Sequence, residues 1–132
     1  MDRLTERFEV ARKALASFQE ALSYQSTEMN RDASIQRFEY THEAVWKAAQ
    51  RYLRSRENLE LASPMAVIRA CFQAGILSEE QSRLAVEMAR DRNLTVHTYN
   101  EELAARIYSH LPAYARLMDD WLTALETLGT KL

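Results

Sequence analysis

Apolar residues recur three and four positions apart along almost the whole chain, the period of helices that each bury one face. Leu4, Phe8, Ala11, Leu15, Phe18 and Leu22 predict a first helix over about Asp2 to Ser23. Ile35, Phe38, His42, Val45, Ala49, Tyr52 and Leu53 predict a second over about Asn30 to Arg56, with Asn30 or Thr27 as its cap. Ser63-Pro64 is a cap followed by proline at the first helical position and predicts a third over about Pro64 to Ala74, ended by Gly75 as a left-handed residue. Ser78 and Gln81 have capping-box spacing and open a fourth, about Glu79 to Arg90. The fifth begins at Thr98, where Thr98 and Glu101 repeat that spacing, and carries Leu103, Ile107, Leu111, Tyr114, Leu117, Trp121, Leu125 and Leu128. Pro112 falls inside this last stripe without changing its phase, which predicts a kink or short break. Short connections, no linker and no internal repeat make residues 1–132 a single all-α domain, an up-and-down helical bundle of about five helices.

Composition agrees with helix. Two glycines and two prolines supply little material for the turns of an all-β fold. No apolar run approaches the ~18–20 residues that span a bilayer, and the first residues carry acids instead of a signal sequence's apolar segment. The lone Cys71 excludes an internal disulfide and a zinc knuckle, fits a reducing compartment, and reads as a small core residue. A cytoplasmic location follows by default. The net charge of −2 excludes a protein that coats nucleic acid, and residues 63–110 hold five arginines against six carboxylates. Contact with RNA therefore has to come from a local constellation or from a partner's surface.

The candidate chemistry lies in Arg92-Asn93-Leu94-Thr95-Val96-His97-Thr98-Tyr99-Asn100-Glu101. Here a permanent cation, an imidazole and a phenol crowd what reads as a turn between two helices. If Thr98 and Glu101 form a capping box, Tyr99 occupies a first helical turn, where free amides and the helix dipole favour anions. Arg92 as a fork donor and His97 as a group titrating near neutrality suit phosphodiester chemistry beside it. No pair of His, Cys or carboxylate residues has convincing metal-ligand spacing, and two glycines cannot build a phosphate loop, so neither a metal nor a cofactor is expected.

Arg92-x4-His97-x-Tyr99 at the start of the last long helix resembles the signature of the HEPN superfamily. More narrowly, the chain resembles the small HEPN proteins encoded beside a minimal nucleotidyltransferase, called nucleotidyltransferase substrate-binding proteins or HepT-type toxins. Arg37-Phe38-Glu39-Tyr40-Thr41-His42-Glu43-Ala44-Val45-Trp46-Lys47 matches the second-helix pattern of that group, and Ser63-Pro64 through Ala74-Gly75-Ile76-Leu77 resembles its third-helix segment. Together these matches cover roughly residues 5 to 125. The resemblance implies a homodimer in which the Arg and His of both copies face one cleft and cut RNA without a metal. It further implies a cognate nucleotidyltransferase that uses ATP to place AMP on the motif tyrosine and so blocks the toxin. Carried over, Arg92 and His97 are the catalytic pair, Asn93 a supporting polar residue, and Tyr99 the AMP acceptor. Two His97 side chains across a two-fold axis would supply both the base and the acid of the reaction.

Each residue also has a structural reading. Arg92 could simply pair with Asp91, Glu101 or Glu87; His97 could hydrogen-bond a helix end; Tyr99 could pack half-buried under the bundle. His42, between Phe38 and Val45, reads as a core or interface histidine with satisfied nitrogens. Glu39 and Glu43 share a helix face and read as holders of arginines or as the rim of the cleft; His110 reads as ordinary surface, and Trp46 and Trp121 as core. The competing functions are a non-catalytic subunit that binds a substrate or nucleotide for the nucleotidyltransferase, which the balanced charge around the motif favours, and a helical scaffold.

Overall fold

A computed structural model describes residues 3–130. It contains helices α1 (Arg3–Ser23), α2 (Glu28–Glu57), α3 (Pro64–Gln73), α4 (Glu79–Leu94) and α5 (Glu101–Gly129), with one 3₁₀ turn, Thr95–His97, between α4 and α5. The long helices α1, α2 and α5 pack against one another, and α3 and α4 complete the bundle by packing on α2, on each other and, for α4, on α5. No strand occurs among the described residues. The expected class and the up-and-down order are those observed. None of the described helices is long and apolar enough to cross a membrane.

The apolar stripes meet in one core. Leu15 and Phe18 of α1, Phe38 and Leu53 of α2, and Ile107, Tyr114 and Trp121 of α5 are all fully buried within it. Phe38 touches Phe18 on one side and stacks on Tyr114 on the other, with ring centroids 5.9 and 5.6 Å apart, so three helices are joined through one ring. Trp46 and Trp121 are buried as expected, and burial pushes the Cys71 thiol up to about 11, which leaves it unreactive. At the periphery, Arg12 of α1 bonds Asp119, Thr123 and Glu126 on α5. These bonds fasten the first helix to the last.

The helix ends show which punctuation the fold uses. Thr27, not Asn30, caps α2: its side chain accepts from the Asn30 amide. Ser63 caps α3 ahead of Pro64, and Ser78 with Gln81 forms a full capping box on α4. Gly75 takes φ +76° while the Gly75 and Ile76 amides bond back to Phe72 and Cys71, a Schellman closure that lets the chain turn directly into α4. Two expectations change. Pro112 makes no break in α5, which runs continuously to Gly129; the core contacts of Leu111, Tyr114 and Ala115 outweigh the one lost backbone bond. The Thr98–Glu101 capping box does not form. Asn100 caps α5 by accepting from the Leu103 amide, Thr98 Oγ1 donates to the Thr95 carbonyl, and Glu101 turns away to pair with Arg31 of α2 at 3.1 Å.

Candidate functional site

The motif divides between a helix end and the turn after it. α4 continues one turn beyond the expected Arg90, so Arg92 and Asn93 lie in its last turn, and His97 closes the 3₁₀ turn. Tyr99 stands outside any helix, correcting its expected place in the first turn of α5, because the cap that would have put it there is Asn100. Its side chain is 81% exposed, so it is not the half-buried packing residue that was the alternative. The phenol oxygen sits 3.1 Å from His97 Nδ1, with the two rings edge to face. Residues 97 and 99 are therefore brought together as one exposed pair.

Arg92 is held from a direction that local spacing does not suggest. Its Nη1 pairs with Glu39 of α2 at 3.2 Å and donates to Thr95 Oγ1 at 2.9 Å, in place of an ion pair with Asp91, Glu101 or Glu87. Thr95 is buried and also lies within bonding distance of Glu39 Oε2, at 3.1 Å. Arg92 is thus paired with a carboxylate and a hydroxyl, and Glu39 does hold an arginine. Glu43 instead bonds Lys47 and the Trp46 indole. Burial pushes the Glu43 carboxyl up, but these bonds outweigh it and keep the group below its ordinary value.

Beside this arrangement is an open cleft of about 400 Å³ lined by His42, Glu43, Trp46, Pro64, Arg92 and Asn93 among others. The exposed Asn93 is thereby placed with Arg92. His42 is buried as expected, at 3% exposure, yet neither ring nitrogen has a hydrogen-bond partner, so it is not the satisfied histidine the helix pattern suggested. Its neighbours explain this. The ring lies 6.0 Å from the Phe38 ring, and the cation that acts on it is Arg92. Burial first and Arg92 second lower its pKa to about 4, leaving a neutral imidazole at the edge of the cleft.

His110 also differs from expectation. Its Nδ1 lies 2.9 Å from Asp91, which is only 2% exposed, and that carboxylate receives the Tyr114 hydroxyl at 2.6 Å and Arg106 at 3.3 Å. Burial and the Asp91 bond both raise the Tyr114 pKa, keeping the phenol protonated as donor. Glu87, Asp91 and His110 could offer ligand atoms to a cation, since these lie within 4.8 Å of one another. Arg106 and Tyr114 already occupy the Asp91 oxygens, however, and the cluster's visible role is to lock the end of α4 onto α5. The signal was present in the sequence as Glu87/Asp91 and Arg106/His110/Tyr114, each at four-residue steps.

A family model described as nucleotidyltransferase substrate binding protein like matches residues 6–127. Among solved structures, a Thermus thermophilus protein is 55% identical with a TM-score of 0.84, the match covering 87% of this chain and 98% of that one. A Haemophilus influenzae protein described as having the fold of a nucleotidyltransferase's substrate binding domain is 18% identical, TM-score 0.76, covering 90% and 98% of the two chains. A tri-AMPylated Shewanella oneidensis HEPN toxin, solved in complex with an MNT antitoxin, is 15% identical, TM-score 0.73, covering 96% and 99%. The last two likenesses establish the fold alone. No curated protein sequence matches the chain. By the extent of the family match, with the HEPN-type fold beneath it, the chain belongs to the nucleotidyltransferase substrate-binding protein-like family.

Proposed function

We propose that the protein is a HEPN toxin-like endoribonuclease of a toxin–antitoxin pair, acting in the cytoplasm as a homodimer through Arg92 and His97. AMP transfer to Tyr99 by a cognate minimal nucleotidyltransferase silences it. The observation that carries this reading is the exposed Tyr99 hydroxyl held 3.1 Å from His97 Nδ1. One modification there would reach the tyrosine and disable the histidine together.

In the cleavage step, one His97 removes the proton from an RNA 2′-hydroxyl, the 2′-oxygen attacks the adjacent phosphorus, and the 5′-oxygen leaves with a proton from the second copy's imidazole. Arg92 holds the non-bridging oxygens and offsets the added negative charge, and Asn93 positions the phosphate. Side chains supply every acid, base and charge the step requires. In silencing, the Tyr99 oxygen attacks the α-phosphorus of ATP, pyrophosphate leaves, and His97 Nδ1 is placed to take the phenolic proton. The AMP then stands where RNA would meet the imidazole.

A second reading is a non-catalytic subunit that binds a substrate or nucleotide for its nucleotidyltransferase. The balanced charge around the motif favours it, since residues 63–110 hold five arginines against six carboxylates. Expression with and without a cognate nucleotidyltransferase separates the two. Growth arrest that disappears with His97→Ala, and a mass increase of AMP that disappears with Tyr99→Phe, are expected for the toxin. Equal arrest by wild type and His97→Ala would end that reading, and nucleotide binding with no RNA loss would leave the subunit.

A further inference from the structure

Six of the chain's 17 lysines and arginines gather at one place that the motif does not use. Arg3 and Arg7 project from the start of α1, and Lys47, Arg51 and Arg54 from the second half of α2, around a groove of about 330 Å³. Arg3, Arg51 and Arg56 line the concavity beside it, where Arg56 donates to the Gly129 carbonyl. Glu60 is the one acid lining the groove. Arg3, Arg7, Arg51 and Arg54 form no ion pair with a carboxylate among the described residues, and Lys47 shares Glu43 with Trp46. Arg51 Nε is shielded from solvent without a hydrogen-bond partner. In a chain of net charge −2 so many uncompensated cations repel one another, a cost that an anionic ligand would remove.

The groove lies next to the motif cleft along α2. Glu39, Glu43, Lys47, Gln50 and Arg54 form one stripe along α2. The consecutive residues Trp46 and Lys47 line the cleft and the groove respectively, and Lys47 pairs with Glu43 at 3.0 Å across the boundary. The connection after α2 forms the facing wall of both, through Leu59 and Leu61 in the groove and Ser63 and Pro64 in the cleft. Twelve residues of helix separate Glu39 from Arg51, about 18 Å, a distance that a few nucleotides span. We propose that this groove binds the phosphate backbone of a single-stranded RNA that continues along α2 into the Arg92 cleft. The inference rests on the reading of that cleft as acting on RNA. Fork donors suit phosphate oxygens, while Leu59 and Leu61 give bases an apolar wall.

The test uses the full chain carrying His97→Ala, so that RNA survives, and a labelled oligouridylate followed by fluorescence anisotropy across a salt series. Four phosphate contacts give a slope of log affinity against log salt of about −3. Adding Arg7→Gln and Arg54→Gln, both at exposed positions, should make that slope shallower by about 1.4 and weaken binding at least tenfold; Arg51→Gln alone should also weaken it. Unchanged affinity and slope would overturn the proposal. So would a double variant that releases phosphatidylserine vesicles or the cognate nucleotidyltransferase while still holding RNA. If the parent chain binds RNA through these residues but wild type cuts none, the ribonuclease reading falls and the groove stands. If Arg7→Gln/Arg54→Gln with His97 intact cuts limiting RNA as fast as wild type, the groove falls and the ribonuclease reading stands.

Discussion

Replacing His42 with phenylalanine should make the protein more stable, and increasingly so in acid. The imidazole is 3% exposed, both its nitrogens lack partners, and Phe38 lies against it. An unsatisfied buried polar group costs about 1–3 kcal/mol, so His42→Phe should gain that much at pH 7, or roughly 4–10 °C in Tm for a chain of this length. The pH term has a definite sign. Burial, and then Arg92, lower the His42 pKa from 6.5 to about 4, so below pH 6.5 the unfolded chain takes up a proton that the folded one refuses. Wild type therefore loses stability as pH falls through that window, by roughly 3 kcal/mol in all, and the variant lacks this loss. Urea unfolding at pH 7 and pH 4.5 should show the gap between the two proteins widening by roughly 2–3 kcal/mol at the lower pH. Carboxylate titration affects both proteins and cancels in the difference. His42→Leu, smaller than phenylalanine, checks that ring size is not at fault. A gap that does not change with pH, or both variants falling below wild type at pH 7, would refute the reasoning.

Other substitutions probe the supports of the motif. Asp91→Ala strands the Tyr114 hydroxyl and releases Arg106 and His110, so it should cost about 2–4 kcal/mol in urea unfolding. Glu39→Gln removes the carboxylate from Arg92, and binding of oligouridylate in a His97→Ala background should tighten roughly fivefold, given that the pair is partly exposed; weaker binding would show that Glu39 aims the fork instead of blocking it. Asn100→Ala should lower stability by about 1 kcal/mol as the true cap of α5. Thr98→Ala, which removes only the bond to the Thr95 carbonyl, should cost less than Asn100→Ala, and a larger loss would restore Thr98 as the cap.

Most of the bundle could be read from the sequence because its helices are amphipathic over many turns and its caps at Ser63 and Ser78 act within three residues. What escaped the reading was decided by contacts distant in sequence. Thr98 and Glu101 have the right spacing for a cap, yet Arg31, far away in sequence, takes the glutamate, and the 3₁₀ turn claims the threonine. Periodicity placed His42 on the buried face, but it carries no information on whether a hydrogen-bond partner exists there. The Arg92–Glu39 pair joins two helices, so local charge spacing could not reveal it. The stripe of α5 alone makes His110 look like surface, because its partner Asp91 lies on α4, 19 residues before it. The basic groove was hidden for a related reason, since its cations come from two segments of a chain whose total charge is slightly negative.

Incubating purified protein with RNA, before and after treatment with ATP and the cognate nucleotidyltransferase, would measure cleavage and Tyr99 occupancy in the same samples. Wild type should cut RNA, His97→Ala should not, and cutting should fall in proportion to the fraction of chains carrying AMP on Tyr99. RNA that stays intact with unmodified wild type, or is cut equally by His97→Ala or by fully modified protein, would contradict an RNA-cleaving site built from Arg92 and His97 and switched at Tyr99.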